Sequence, residues 1–210
     1  MSKKFIPRAQ ELVTFIHTLD YDLKFNFEHG NINQKACANL TRTVLDLSMS
    51  YLHLLNSGGV ALIFGRSVIV RSFLETLGNA KHIENHPKRS KEYMDYINQV
   101  TDRFINKAQN NNIQIKGWTQ STIKQRVQRV SKEAADQYDL LSDFSHGNNL
   151  QVFYSDPKLA GYYLRYLDYY FCKLLTDFML HMVLNLDLPK EVKDEIITKS
   201  TALLTILTTD

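Results

Sequence analysis

Four groups of residues have types and spacings that bear on chemistry. The first is Arg71-x-x-x-Glu75 inside the apolar stretch ALIFGRSVIVRSFLETLGNAKHIENH, Ala61 to His86. A guanidinium fork grips carboxylate or phosphate, so on a helix this pair is either a fixed anion or proton-handling site or a structural ion pair. The second is Leu141-Ser142-Asp143-Phe144-Ser145-His146-Gly147, which puts Ser142 and His146 on one helix face before a glycine stop. A histidine at a helix C-terminus is favoured as the cation and suits proton donation or an anion contact; its commoner use is to cap carbonyls. The third is Asp177 with His181, four apart, which with Glu75 or His82 has metal-ligand chemistry, but no second helix offers Glu-x-x-His or His-x-x-x-His. No metal and no cofactor are expected. The fourth is a basic segment whose Lys124, Arg126, Arg129 and Lys132 have the charge to contact nucleic acid. P-loop, dinucleotide, serine-hydrolase and zinc spacings are all missing from the sequence.

The elements that position these groups read as helices. Wound at 3.6 residues per turn, the central stretch puts Phe64, Ser67, Arg71, Glu75, Gly78 and His82 on one stripe. Ile63, Val70, Leu74 and Leu77 form an apolar stripe beside it, so the helix should be mostly buried and its charges should be paired. The remaining capacity of Arg71 and Glu75 then needs inward-facing polar partners, and Ser142 and His146 are the candidates. The second central element is the row Tyr162, Tyr163, Tyr166, Leu167, Tyr169, Tyr170, Phe171, Leu174 and Phe178, in a helix of about thirty residues from an Asp156-Pro157 start to Asn185.

Around these two lie a first helix from about Arg8 to Phe27 and a second, capped by Asn33, running to Asn56 before a Ser57-Gly58-Gly59 break. Further on come a helix opened by Pro87, a polar passage holding Trp118, and helices near Ile123 and after a Ser131 cap. Asn148 to Ser155 reads as irregular or extended, and a last helix starts at Pro189. The prediction is an all-α, single-domain bundle of about seven helices, mostly antiparallel, over 210 residues. Only eight Gly and four Pro argue against a turn-rich β protein.

Charge excludes little by its total, +3, and more by its distribution. Pro87 to Lys132 holds ten Lys and Arg against three acidic residues, yet these fall around several helix faces, so a solvated surface is favoured and RNA binding is not. Cys37 and Cys172 sit in apolar patterns and are expected as reduced, buried thiols. The start MSKKFIPRAQELV lacks the apolar run of a secretory signal, and the most apolar windows are broken by Arg66 and by Lys173, Asp177 and His181. The expectation is a cytoplasmic protein with no membrane span. The amount of long apolar helix predicts a homodimer.

The helix Arg71-Ser72-Phe73-Leu74-Glu75, followed some seventy residues later by Leu141 to Gly147, resembles an uncharacterised group of bacterial helical proteins, a domain of unknown function. The resemblance covers about Gly59 to Leu184 and extends distantly to HEPN bundles, many of them RNA-cleaving toxins or phage-defence components. Those nucleases carry an arginine followed within four to six residues by a histidine on one helix, and no such pair occurs here. Two functions follow. One is a non-enzymatic protein that binds a protein partner or itself, in a defence or toxin-antitoxin setting. The alternative is a metal-independent HEPN-like ribonuclease in which His146 is acid or base and Arg71 stabilises phosphate charge.

Overall fold

A computed structural model gives the fold and describes residues 2–55, 61–84, 86–108, 122–145, 153 and 155–209. Nine α-helices and no strand occur among the described residues: α1 (Ser2–His17), α2 (Asp20–His29), α3 (Ile32–Leu55), α4 (Ala61–Ile83), α5 (Pro87–Ala108), α6 (Ile123–Val127), α7 (Lys132–Ser145), α8 (Pro157–Met182) and α9 (Lys190–Thr209). A single 3-10 turn, Val183–Asn185, extends α8. None of these helices is long and apolar enough to cross a membrane.

The count exceeds seven partly because the first predicted helix is two. Thr18 and Leu19 close i to i+3 bonds onto Phe15 and Ile16, and the Thr18 hydroxyl also donates to the Phe15 carbonyl at 2.6 Å. A side chain that competes for the helix's own acceptors ends the helix there. Asp20 and Asp22 then favour a fresh N-terminus at α2. The cap of α3 also differs from expectation. Asn31, not Asn33, accepts from the Asn33 and Gln34 amides, and Gln34 accepts in return from the Asn31 amide at 2.7 Å, a reciprocal capping box. Ser131 does cap α7, accepting from the Ala134 amide at 2.9 Å, and Asp156 caps α8 through the Lys158 and Leu159 amides. The Ser57 to Gly59 break, Trp118 and the His146-Gly147 stop lie outside the described residues.

Helix α4 is central because five helices pack on it: α3, α5, α6, α7 and α8. Its apolar stripe is fully buried, with Ile63, Val70, Leu74 and Leu77 all at 0% exposure. Phe73 meets Phe171 and Phe178 of α8 edge to face, and Tyr51 of α3 stacks on Phe171 with ring centres 4.2 Å apart. Each such ring contributes about 1.5–3 kcal/mol by leaving water, with edge and stacking geometry adding to it. The apolar cluster takes side chains from all nine helices.

The polar stripe of α4 is where α6 and α7 sit. Gly78 makes the α6 crossing possible: a Cβ there would lie 3.0 Å from the Val127 amide nitrogen and 3.1 Å from the Arg126 carbonyl carbon. Those are backbone atoms, which cannot swing aside. Gly78→Val is therefore expected to push α6 off α4 and cost about 1–3 kcal/mol despite the gain in helix propensity, read as a lower urea midpoint with faster hydrogen exchange in residues 123–130. Unchanged exchange there would show that α6 does not depend on this contact.

Candidate functional site

Arg71 and Glu75 pair as their spacing requires, one turn apart on α4, with Nε donating to Oε1 at 3.1 Å. The partner from outside the helix is Tyr138 on α7. Its hydroxyl accepts from Arg71 Nη2 at 3.2 Å and donates to Glu75 Oε1 at 3.1 Å, closing a three-membered ring of hydrogen bonds. The guanidinium also lies over the Tyr138 ring, 5.2 Å from its centre. The sequence pattern marks Tyr138 as an apolar position of α7. Its ring does fill that role, and its hydroxyl supplies the polar contact.

The pair is less buried than the apolar stripe beside it suggests. Arg71 and Glu75 side chains keep 22% and 25% exposure. Burial works against the Arg71 cation, but Tyr138 and Glu75 together outweigh it and hold its pKa above the ordinary value. Burial raises the Tyr138 phenol, with the Arg71 hydrogen bond pulling it back, so the hydroxyl stays protonated. Arg126 of α6 is 6% exposed; burial lowers its pKa, with Tyr96, Glu75 and Tyr138 acting the other way. Chemically, the ring is a clamp of α7 onto α4. A phosphate reaching Arg71 would compete with the Glu75 carboxylate and be repelled by it. With a quarter of each group in water, Glu75→Ala is expected to cost about 1–2 kcal/mol in urea unfolding, less than for a sealed pair. A loss above 4 kcal/mol would mean the site is sealed.

A second constellation is wholly buried, and its members Tyr51, Arg66 and Asp168 are absent from the sequence candidates. Arg66 Nη1 donates to Asp168 Oδ1 at 3.1 Å, Tyr51 donates to the same oxygen at 2.7 Å, and Arg66 Nη2 donates to the Leu54 carbonyl at 3.3 Å. Side-chain exposure is 7% for Arg66 and 10% for Asp168. Burial raises the Asp168 carboxyl above the usual carboxylate value, with Tyr51 and Arg66 opposing it, and the Tyr51 phenol is pushed up by burial and by Asp168. The signal was visible: Arg66 interrupts the most apolar window of α4, and Asp168 interrupts the tyrosine row of α8. Two opposite charges breaking two buried helices are each other's natural partners.

The remaining candidates are dispersed. Ser142 lies on α7 one turn beyond Tyr138, while His146, and with it any approach of His146 to Arg71, falls outside the described residues. Lys124 pairs with Asp139 at 2.7 Å, Arg126 is buried, Arg129 hydrogen-bonds His82 Nδ1, and Lys132 is exposed. Asp177 is flanked by Lys173, His181 and Lys81, and His181 lies 4.0 Å from Glu84. No group of three or more His, Cys, Asp or Glu is arranged to hold a metal among the described residues. Both cysteines are free and buried. No family model, curated protein or solved structure matches the chain.

Proposed function

We propose that the protein works by docking to a second copy of itself through the aromatic seam of α7 and α8. The observation that carries this reading is an uncovered stripe on α8, where Leu159, Tyr162 and Tyr169 keep 40%, 65% and 37% exposure. Beside it runs α7, antiparallel to α8: Gln137 accepts from Tyr166, Phe144 packs on Tyr163, and Lys173 pairs with Glu133 at 2.8 Å. Leu140, one turn on from Gln137, keeps 40% exposure. Behind the stripe the rings of Tyr163, Tyr166 and Tyr170 stack in sequence, so the surface is stiff.

Tyrosine is favoured at interfaces because it covers much apolar area at low entropic cost and its hydroxyl both donates and accepts. A tyrosine stripe is for that reason self-complementary about a two-fold axis. From Leu159 to Lys173 the stripe is about 21 Å long, and with α7 alongside it offers roughly 400 Å² of flat footprint per copy, about 800 Å² in all, the area of a weak association. The expected dimer is weak and concentration-dependent.

Light scattering on the full chain is expected to show a concentration-dependent dimer, and Tyr162→Ala with Tyr169→Ala is expected to give a monomer with unchanged circular dichroism. A monomer mass for the unaltered chain up to about 100 μM would end this reading. The ribonuclease reading has less support, since Glu75 and Tyr138 already occupy the Arg71 fork. Its test is total RNA incubated in chelator beside His146→Ala; cleavage that vanishes with the histidine would replace the docking proposal with a catalytic one.

A further inference from the structure

At one end of the bundle, where α3 and α5 begin and α4 and α8 end, a cavity of about 150 Å³ is lined by Asn33, Gln34, Cys37, Glu84, Ser90 and Asn185 over an apolar floor of Ile83 and Met182. Its polar atoms are unusual in two ways. Ser90 is 1% exposed, yet its hydroxyl has no hydrogen-bond partner, and the buried Oδ1 of Asn33 has none either. Buried polar atoms left in this state cost stability unless something placed between them completes their bonds. Water does this in many proteins, and the volume would hold about five water molecules.

The chemistry of the lining points to a more specific occupant. Asn185 donates one of its two amide N–H groups to the His181 carbonyl at 2.6 Å, and its side-chain oxygen is an acceptor. Glu84 adds a carboxylate, and Asn33 adds the oxygen already noted. Burial, and then the charge of Glu84, push the Cys37 thiol up to about 12, so it is neutral and adds no second anion. Glu84 lies 3.5 Å from Lys81, which also faces Asp177, and 4.0 Å from the His181 ring. A cavity lined by several acceptors, one of them the Glu84 carboxylate, with room for only a few heavy atoms, suits a compact cation that donates several hydrogen bonds.

We propose that this cavity binds a small primary ammonium ion, its N–H groups directed to Glu84, Asn33 Oδ1 and the Ser90 hydroxyl. The site is independent of the α7–α8 seam. The probe is ethylammonium chloride, titrated into the full chain by calorimetry and by thermal unfolding, with sodium chloride matched for ionic strength and tetramethylammonium chloride as a cation of equal charge lacking N–H donors. Ethylammonium is expected to raise the unfolding temperature saturably, and the two controls are not. Ser90→Ala, which removes a hydroxyl with no protein partner, is expected to fold normally and be at least as stable without ligand, while binding the probe about tenfold more weakly. Glu84→Gln is expected to weaken it by at least as much. Equal responses to ethylammonium and sodium would overturn the proposal and leave a hydrated cavity, as would probe affinity unchanged in both variants.

Discussion

Asp168→Ala is expected to cost about 3–5 kcal/mol of folding free energy, the largest loss from any single polar truncation in this bundle. Removing the carboxylate strips Arg66 of its counter-charge at a position 7% exposed, and Tyr51 of the acceptor of its 2.7 Å hydrogen bond. The Leu54 carbonyl remains as a partner for Arg66, but a carbonyl at 3.3 Å does not neutralise a buried guanidinium. Most of the loss is the cost of an orphaned charge, not the worth of the pair. The double replacement Arg66→Met with Asp168→Leu should therefore recover to within about 1–2 kcal/mol of the parent in urea denaturation. A single variant within 1 kcal/mol of the parent would show that water reaches Arg66 easily.

The pH dependence of the same pair has a defined sign. Burial, the largest influence on Asp168, raises its carboxyl in the folded state, against about 3.9 in the unfolded chain. Between the two values the native protein holds more protons than the unfolded one, so this group's contribution is fully present below the unfolded pKa and is lost as pH rises through the folded one. Asp168→Asn removes that linkage: the fall in stability with rising pH that this group contributes should disappear, leaving a steeper acid limb.

Alkaline pH is expected to unfold the protein cooperatively near pH 11. Burial holds the phenols of Tyr51, Tyr93, Tyr163 and Tyr170 and the thiols of Cys37 and Cys172 above their ordinary values, Tyr163 and Cys37 at about 12. In the unfolded chain the same groups ionise near 10 and 8.5. By pH 11 the unfolded state therefore gains about 1.4 kcal/mol per tyrosine and about 3 per cysteine, on the order of 10 kcal/mol together. That is comparable to the roughly 5–15 kcal/mol by which a domain is stable. Tyrosinate absorbance and helical circular dichroism should change together above pH 10. Full helicity at pH 12 with tyrosines titrating near 10 would mean the rings are far more open to water than the packing of α8 allows.

What the sequence determined by itself is the helical content, several helix boundaries and the identity of the two central elements. These depend on local physics: apolar residues at three and four, the Asp156-Pro157 start, the Pro87 start and the Ser131 cap all act within one or two turns. It also determined that Arg71 and Glu75 meet, since i and i+4 on a helix are neighbours in any fold. Only the tertiary structure decided what they meet. Tyr138 lies 63 residues from Glu75, and its ring satisfies the apolar pattern of α7 while its hydroxyl does the polar work, so composition cannot separate the two roles. The Tyr51–Arg66–Asp168 cluster joins three helices across up to 117 residues, and sequence could show two buried charges of opposite sign but not that α3, α4 and α8 bring them together. The same holds for Gly78, whose missing side chain matters because the backbone of α6 crosses there, and for the cavity at the ends of four helices. Partner choice between elements is set by how apolar faces nest in three dimensions, and the linear order of residues does not contain that directly.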